Sequence, residues 1–275
     1  MSILSNRDNP RLGAEFQQKV LEWFSNEYKT GFQKEIKIPI GSHLLDQTEY
    51  KDHKFDIVSD DYSIVIECKR YTWTESLNVP SAKMGFTNEA AFYLSLVKKC
   101  HKKYIVMLKS YNPNREKTLA EYYYETNKHL LGDVVIGEYD PDTRAMRFIN
   151  EDAVNVIWYR RVNAFAQKYL ALYENTDTTE DDVCNTFAVE SFDLGIQMDC
   201  EKGFIEKYGS DAASNAPSLQ NILQEINDVD VLASEIFSKW RYITHWSYGE
   251  SCLEKKNREW FIVALKKLIE ITKIV

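Results

Sequence analysis

Residues 54–70, Lys-Phe-Asp-Ile-Val-Ser-Asp-Asp-Tyr-Ser-Ile-Val-Ile-Glu-Cys-Lys-Arg, set two short apolar runs on either side of an acidic turn. That pattern predicts a β-hairpin closing at Asp60–Tyr62. Side chains alternate between faces along a strand. In the second run Ile64, Ile66 and Cys68 therefore share one face, and Val65, Glu67 and Lys69 share the other. Glu67 and Lys69 then stand roughly 6–7 Å apart along the strand. The hairpin brings Asp56 level with Glu67, or one to two residues off it. Two carboxylates and an ammonium converge at one strand end.

Such a constellation has an electrostatic cost. Carboxylates a few ångströms apart repel, and one of them takes up a proton more readily unless a cation offsets the charge. Oxygens from Asp56 and Glu67, the backbone carbonyl of residue 68 and several waters suit Mg²⁺, with Mn²⁺ as a substitute. Mg²⁺ polarises a phosphodiester and acidifies water. Lys69 would then orient the water or stabilise charge developing on phosphorus. The same spacing also fits an edge strand whose charges are merely solvated.

Asp56, ten intervening residues and Glu67-Cys68-Lys69 together resemble the D-(x)n-(D/E)-x-K signature of the PD-(D/E)XK nuclease superfamily, which has the restriction-endonuclease-like fold. The proline that often precedes the first acid is replaced by Phe55. The likeness spans about residues 10–150. It implies that Asp56 and Glu67 hold metal and that Lys69 positions the nucleophilic water. An acid on the first helix often completes such sites. Glu15, in Leu12-Gly13-Ala14-Glu15-Phe16, matches it as a further metal ligand; a solvated acid near a helix start is the alternative. The resemblance also implies that polar residues early in the helix after the E-x-K strand reach the site. Lys83, Asn88 and Glu89 are the candidates.

Arg70, Tyr71 and Trp73 follow directly, mixing a cation with aromatic rings. Beside a metal site these suit phosphate contacts and base stacking; Tyr71 and Trp73 equally suit packing of a loop. His53, three residues before Asp56, would touch phosphate or water, or sit solvated in a loop.

Hydrophobic periodicity outlines the rest of the fold. A helix over 10–29 presents Phe16, Val20, Trp23, Phe24 and Tyr28 on one stripe. Alternation predicts a strand over 32–40, followed by a polar loop over 41–53. A helix capped by Thr87 leads to a buried strand over 103–109. A helix over 115–130, a strand over 133–139 and a short partner over 144–149 come next. The order is that of an α/β fold with a mixed central sheet flanked by helices. A mainly helical region comes after it, giving expected domains of 1–173 and 174–275. Within the second, 174–182 reads as an acidic linker, 183–216 lacks strong periodicity, and 217–240 and 252–273 read as helices. The aromatic run Trp240–Trp246 suits helix packing, with a recognition or dimer surface as the other reading.

The formal net charge is −8, but it is unevenly spread. Residues 1–150 carry 21 basic and 21 acidic side chains, and all the excess acid lies in 174–235. A neutral catalytic half can still meet phosphates. Five scattered cysteines without a C-x-x-C pair suggest a reducing cytoplasm. No apolar stretch is long enough for a membrane span. Phosphate-cradling glycine motifs and a G-x-S-x-G elbow are missing. The expected function is a Mg²⁺-dependent endodeoxyribonuclease, restriction-type by resemblance, acting on double-stranded DNA and possible as a homodimer. The alternatives are a non-catalytic DNA- or protein-binding module on the same fold, or a nuclease for RNA or branched DNA.

Overall fold

A computed structural model describes residues 8–28, 30–44, 47–97, 102–196, 203–245, 247 and 250–273. Helix α1 (Asp8–Tyr28) buries Phe16, Val20 and Phe24, which recur at helical spacing. Strands β1 (Phe32–Leu44) and β2 (Gln47–Ser59) come next as a long antiparallel ribbon, in register from Phe32↔Ser59 to Leu44↔Gln47. The stretch expected to be a loop is thus mostly strand. Its sequence shows little alternation because in this ribbon β1 pairs only with β2, and a two-stranded ribbon has less surface to bury than a sheet interior.

Strand β3 (Ile64–Lys69) closes the expected hairpin with β2. Helix α2 (Ser81–Ser95) then leads to β4 (Lys102–Leu108), which runs parallel to β3. Thr87 is not the cap of α2. The helix starts six residues earlier, just after Pro80, and Thr87 is buried with its hydroxyl donating to the Lys83 carbonyl at 3.1 Å. A small hairpin, β5 (Tyr111–Asn112) and β6 (Lys117–Thr118), precedes α3 (Leu119–Asn127). Thr118 and Glu121 form a capping box at the start of α3. Strand β7 (Val134–Tyr139) lies parallel to β4, and β8 (Met146–Phe148) returns antiparallel to β7.

The result is a six-stranded mixed sheet in the order β1-β2-β3-β4-β7-β8. Its parallel centre is apolar almost throughout, as strands covered on both faces must be. One core holds α1 residues with Ile57, Ile64, Ile66 and Tyr104. The other holds α2 and α3 residues with Phe55, Val65, Ile105 and Ile136.

The chain divides into two units at Val154/Asn155. The division falls earlier than residue 173 because most of α4 (Glu151–Glu174) belongs with the C-terminal helices. Its Val162, Phe165, Ala166, Tyr169 and Tyr173 are buried in the helical core of the second unit. That unit continues with α5 (Glu180–Asp193), α6 (Phe204–Tyr208), α7 (Ser210–Ser214), α8 (Ala216–Ile222), α9 (Val229–His245) and α10 (Lys255–Ile271). The acidic stretch read as a linker ends in a helix start. Thr179 and Asp182 cap α5 reciprocally. Trp240 is buried and stacks on Phe187 at 5.1 Å, so that ring packs between helices. Among the described residues no helix is long and apolar enough to cross a membrane.

Candidate active site

The β2–β3 ladder pairs Val58 with Val65 and Ile57 with Ile66. One step further, the register sets Asp56 opposite Glu67. There the backbone ladder gives way to a side chain: the Cys68 N–H donates to Asp56 Oδ2 at 2.7 Å. A strand N–H without a ladder partner needs an acceptor, and the carboxylate supplies it. Asp56 Oδ1 accepts a second hydrogen bond, 2.7 Å, from Gln17 Nε2 on α1.

Strict alternation fails at this point of β2. Phe55 packs with the α2 and α3 core, whereas Ile57, two residues on, packs with the α1 core. Residues two apart in a regular strand share a face, so the backbone turns at Asp56. On β1, Glu35 lies between the pairs Lys34↔Ile57 and Ile36↔Phe55, opposite Asp56, with φ at +58°. For a residue with a side chain that left-handed conformation costs about 1–2 kcal/mol. The irregularity aims the Asp56 carboxylate at the edge of β3 and at α1 together.

Glu67 is buried, and its Oε2 accepts from Lys69 Nζ at 2.6 Å. Burial raises the Glu67 carboxyl above its ordinary range; the nearby Asp56 charge raises it too, and Lys69 pulls it back. Burial likewise raises Asp56, against the Cys68 N–H, Lys69 and Gln17. Burial alone would lower Lys69, but Glu67 and Asp56 outweigh it, so the ammonium is held charged. Two acids thus share one cation in a poorly solvated corner. His53 Nε2 lies 3.9 Å from Glu67 Oε1, beyond hydrogen-bond reach. The imidazole stacks on Tyr93 of α2, centroids 3.9 Å apart, and burial lowers its pKa. Cys68 packs against the α1 core, and burial pushes its thiol well above the ordinary range.

The remaining sequence candidates separate. Tyr71 is half-buried beside the acids, and Lys83 Nζ sits 5.5 Å above its ring. Arg70 is half-buried. Trp73 is buried, and its indole N–H donates to the Ser110 carbonyl at 2.9 Å. Its ring packs on Tyr122 and is not presented for stacking on a base. Asn88 accepts from the Tyr123 hydroxyl at 2.9 Å, and Glu89 is exposed. Glu15 is exposed and paired with Arg11 at 3.6 Å. The α1 residue that touches Asp56 is Gln17, two positions on and about 200° round the helix. The sequence did carry a sign of it. Gln17 stands three and seven residues before Val20 and Phe24, a polar residue in line with a buried stripe.

Among the described residues no three His, Cys, Asp or Glu side chains gather as a metal cluster. The donor set is the two carboxylates. Each hydrogen-bonded oxygen keeps a second lone pair, and hard oxygen donors of this number fit Mg²⁺ or Mn²⁺, which retain several waters. No protein-family model, curated protein or solved structure matches the chain.

Proposed function

We propose that this chain is a divalent-cation-dependent nuclease of the PD-(D/E)XK kind that hydrolyses phosphodiester bonds in DNA. The observation that carries the reading is the meeting of half-buried Asp56, buried Glu67 and Lys69, whose ammonium donates to Glu67 at 2.6 Å. Fully ionised, the trio is one positive charge short, which favours a cation beside it. Mg²⁺ or Mn²⁺ there supplies that charge and Lewis acidity toward phosphate and water.

The chain's own groups divide the remaining work. Gln17 and the Cys68 N–H orient Asp56. Asp56 and Glu67 would hold the cation, and Glu67 Oε2 also accepts from Lys69. Lys69, kept protonated, offsets negative charge that grows on the phosphate oxygens as the bond to the leaving group breaks. Lys83 and Arg70 add contacts to flanking phosphates. The geometry argues for phosphodiester chemistry; the sequence resemblance argues for DNA and for restriction-type cleavage, with two copies cutting both strands.

The test is cleavage of plasmid and linear DNA with Mg²⁺, Mn²⁺ or EDTA, by wild type, Lys69→Ala and Glu67→Ala. Cleavage is expected only with metal, and both variants should lose it while folded. Wild type and Lys69→Ala, which keep both carboxylates, should gain thermal stability on adding cation, and Glu67→Ala should not. Undiminished cleavage by folded Lys69→Ala would refute the assignment.

A further inference from the structure

The sheet unit carries a second concavity that the reaction does not use. It encloses about 710 Å³ and is lined by Ile38, Tyr50 and Asp52 of the β1–β2 ribbon, by Tyr62, and by Leu96 and Val97 after α2. Small-molecule sites fall in this range of volume. Tyr50 and Tyr62 are 60% and 51% exposed, although the lining is mainly apolar. Tyr62 adopts a left-handed backbone, φ +60°, uncommon for a bulky residue. The turn that holds it is firmly built: the Tyr62 N–H donates to the Ser59 carbonyl at 2.9 Å, and Asp61 accepts from the Ser59 and Ser63 hydroxyls. The ring is presented by a fixed turn and not left out by a loose one.

The concavity and the candidate active site draw on the same two stretches of chain. Asp52 precedes His53, and Leu96 lies one helical turn beyond Tyr93. The His53–Tyr93 stack in turn borders Glu67. Tyr62 stands five residues from Glu67, roughly 16 Å of extended chain, so a strand whose phosphate sits at Asp56, Glu67 and Lys69 would bring a base a few nucleotides away to this opening.

We propose that the concavity takes an unpaired nucleobase of the strand being cut, an inference that rests on the nuclease reading. Two exposed phenol rings offer faces for stacking, which tolerates every base. Asp52 is an acceptor only, and guanine alone presents two adjacent donors to a carboxylate, its N1–H and its 2-amino group, so guanine gains most. Adenine, cytosine, thymine and uracil each offer one donor on that edge and gain less.

The experiment is fluorescence anisotropy in EDTA with a labelled mixed-sequence single strand and the same strand carrying an abasic site. Wild type is compared with Tyr50→Ala, Tyr62→Ala, the matching Phe variants and Asp52→Asn. Each Ala variant is expected to bind about ten-fold more weakly, and each Phe variant as wild type. The abasic strand should bind wild type more weakly, and Asp52→Asn should narrow the preference for a strand carrying guanine over the same strand carrying inosine, which lacks the 2-amino group. Ala variants that bind as tightly as wild type would overturn the proposal. So would self-association of wild type, lost in the Ala variants, without strand binding; that result assigns the face to a second copy. Metal-dependent cleavage is measured in parallel. Cleavage without any tyrosine effect overturns the base site and leaves the nuclease reading standing. Tyrosine-dependent binding without cleavage overturns the nuclease reading and leaves a base-binding site.

Discussion

Glu235 should make the helical unit lose stability as the solution becomes less acidic. It lies within α9, 6% exposed, and burial raises its carboxyl from the ordinary 4.5 to about 7, with Lys239 pulling the other way. The folded chain therefore binds this proton more tightly than the unfolded one. Stability from this group is fully present below pH 4.5, falls as pH rises toward 7, and is level above that. At about 1.4 kcal/mol per pH unit, the whole fall is roughly 3 kcal/mol. Glu235→Gln keeps the shape and cannot titrate. The difference between variant and wild type should grow in the variant's favour by about that amount across the window, less whatever attraction to Lys239 is lost. Urea unfolding at several pH values, followed by hydrogen exchange of α9 amides, reads this unit separately from the sheet. A difference that stays constant from pH 4.5 to pH 8 would refute the reasoning, because a solvated Glu235 has no such window.

Two further outcomes test the geometry around Asp56. Gln17→Ala removes a hydrogen bond to a half-buried carboxylate, worth about 1.5–3 kcal/mol; it should weaken the cation-induced thermal shift and slow cleavage, and an unchanged shift would mean that the Cys68 N–H alone orients Asp56. At the strained position opposite, Glu35→Val should be less stable than Glu35→Gly by about 1 kcal/mol or more in urea unfolding, although valine is the better strand former; the reverse order would show that the left-handed backbone is not required there.

Much of the sheet was legible because its signals are local. Ile64–Lys69 reads as a strand from apolar alternation, and the Asp60-Asp61 turn fixes the Asp56–Glu67 register to within a residue or two. The turn of β2 at Asp56 was not legible. Phe55 and Ile57 are both apolar, and nothing in their identity says that they enter different cores. Glu15 bears the charge that suits a metal ligand and Gln17 does not, yet only Gln17 lies in line with Val20 and Phe24. Strand residues 41–44 and 47–53 are mostly polar, and polar residues suit a strand as well as a loop. In the second unit, Thr179-Glu180-Asp181-Asp182 spells a capping box, but its three acids read first as a linker. The short α6 and α7 span too few turns for periodicity to show.

The two-pair junction of β2 with β3 also bears on the order in which the chain assembles. Asp56 and Glu67 lie eleven positions apart, closed by one tight turn, and hairpins of this kind form in about 1–10 μs. Gln17 reaches Asp56 across 39 residues, and β4 joins β3 only after α2 has crossed over. Loop closure delays such contacts. The acids are therefore brought face to face early, while still hydrated, and are dried later as α1 and α2 settle. Their repulsion is felt mainly on the native side of the folding barrier, so it hastens unfolding more than it slows folding.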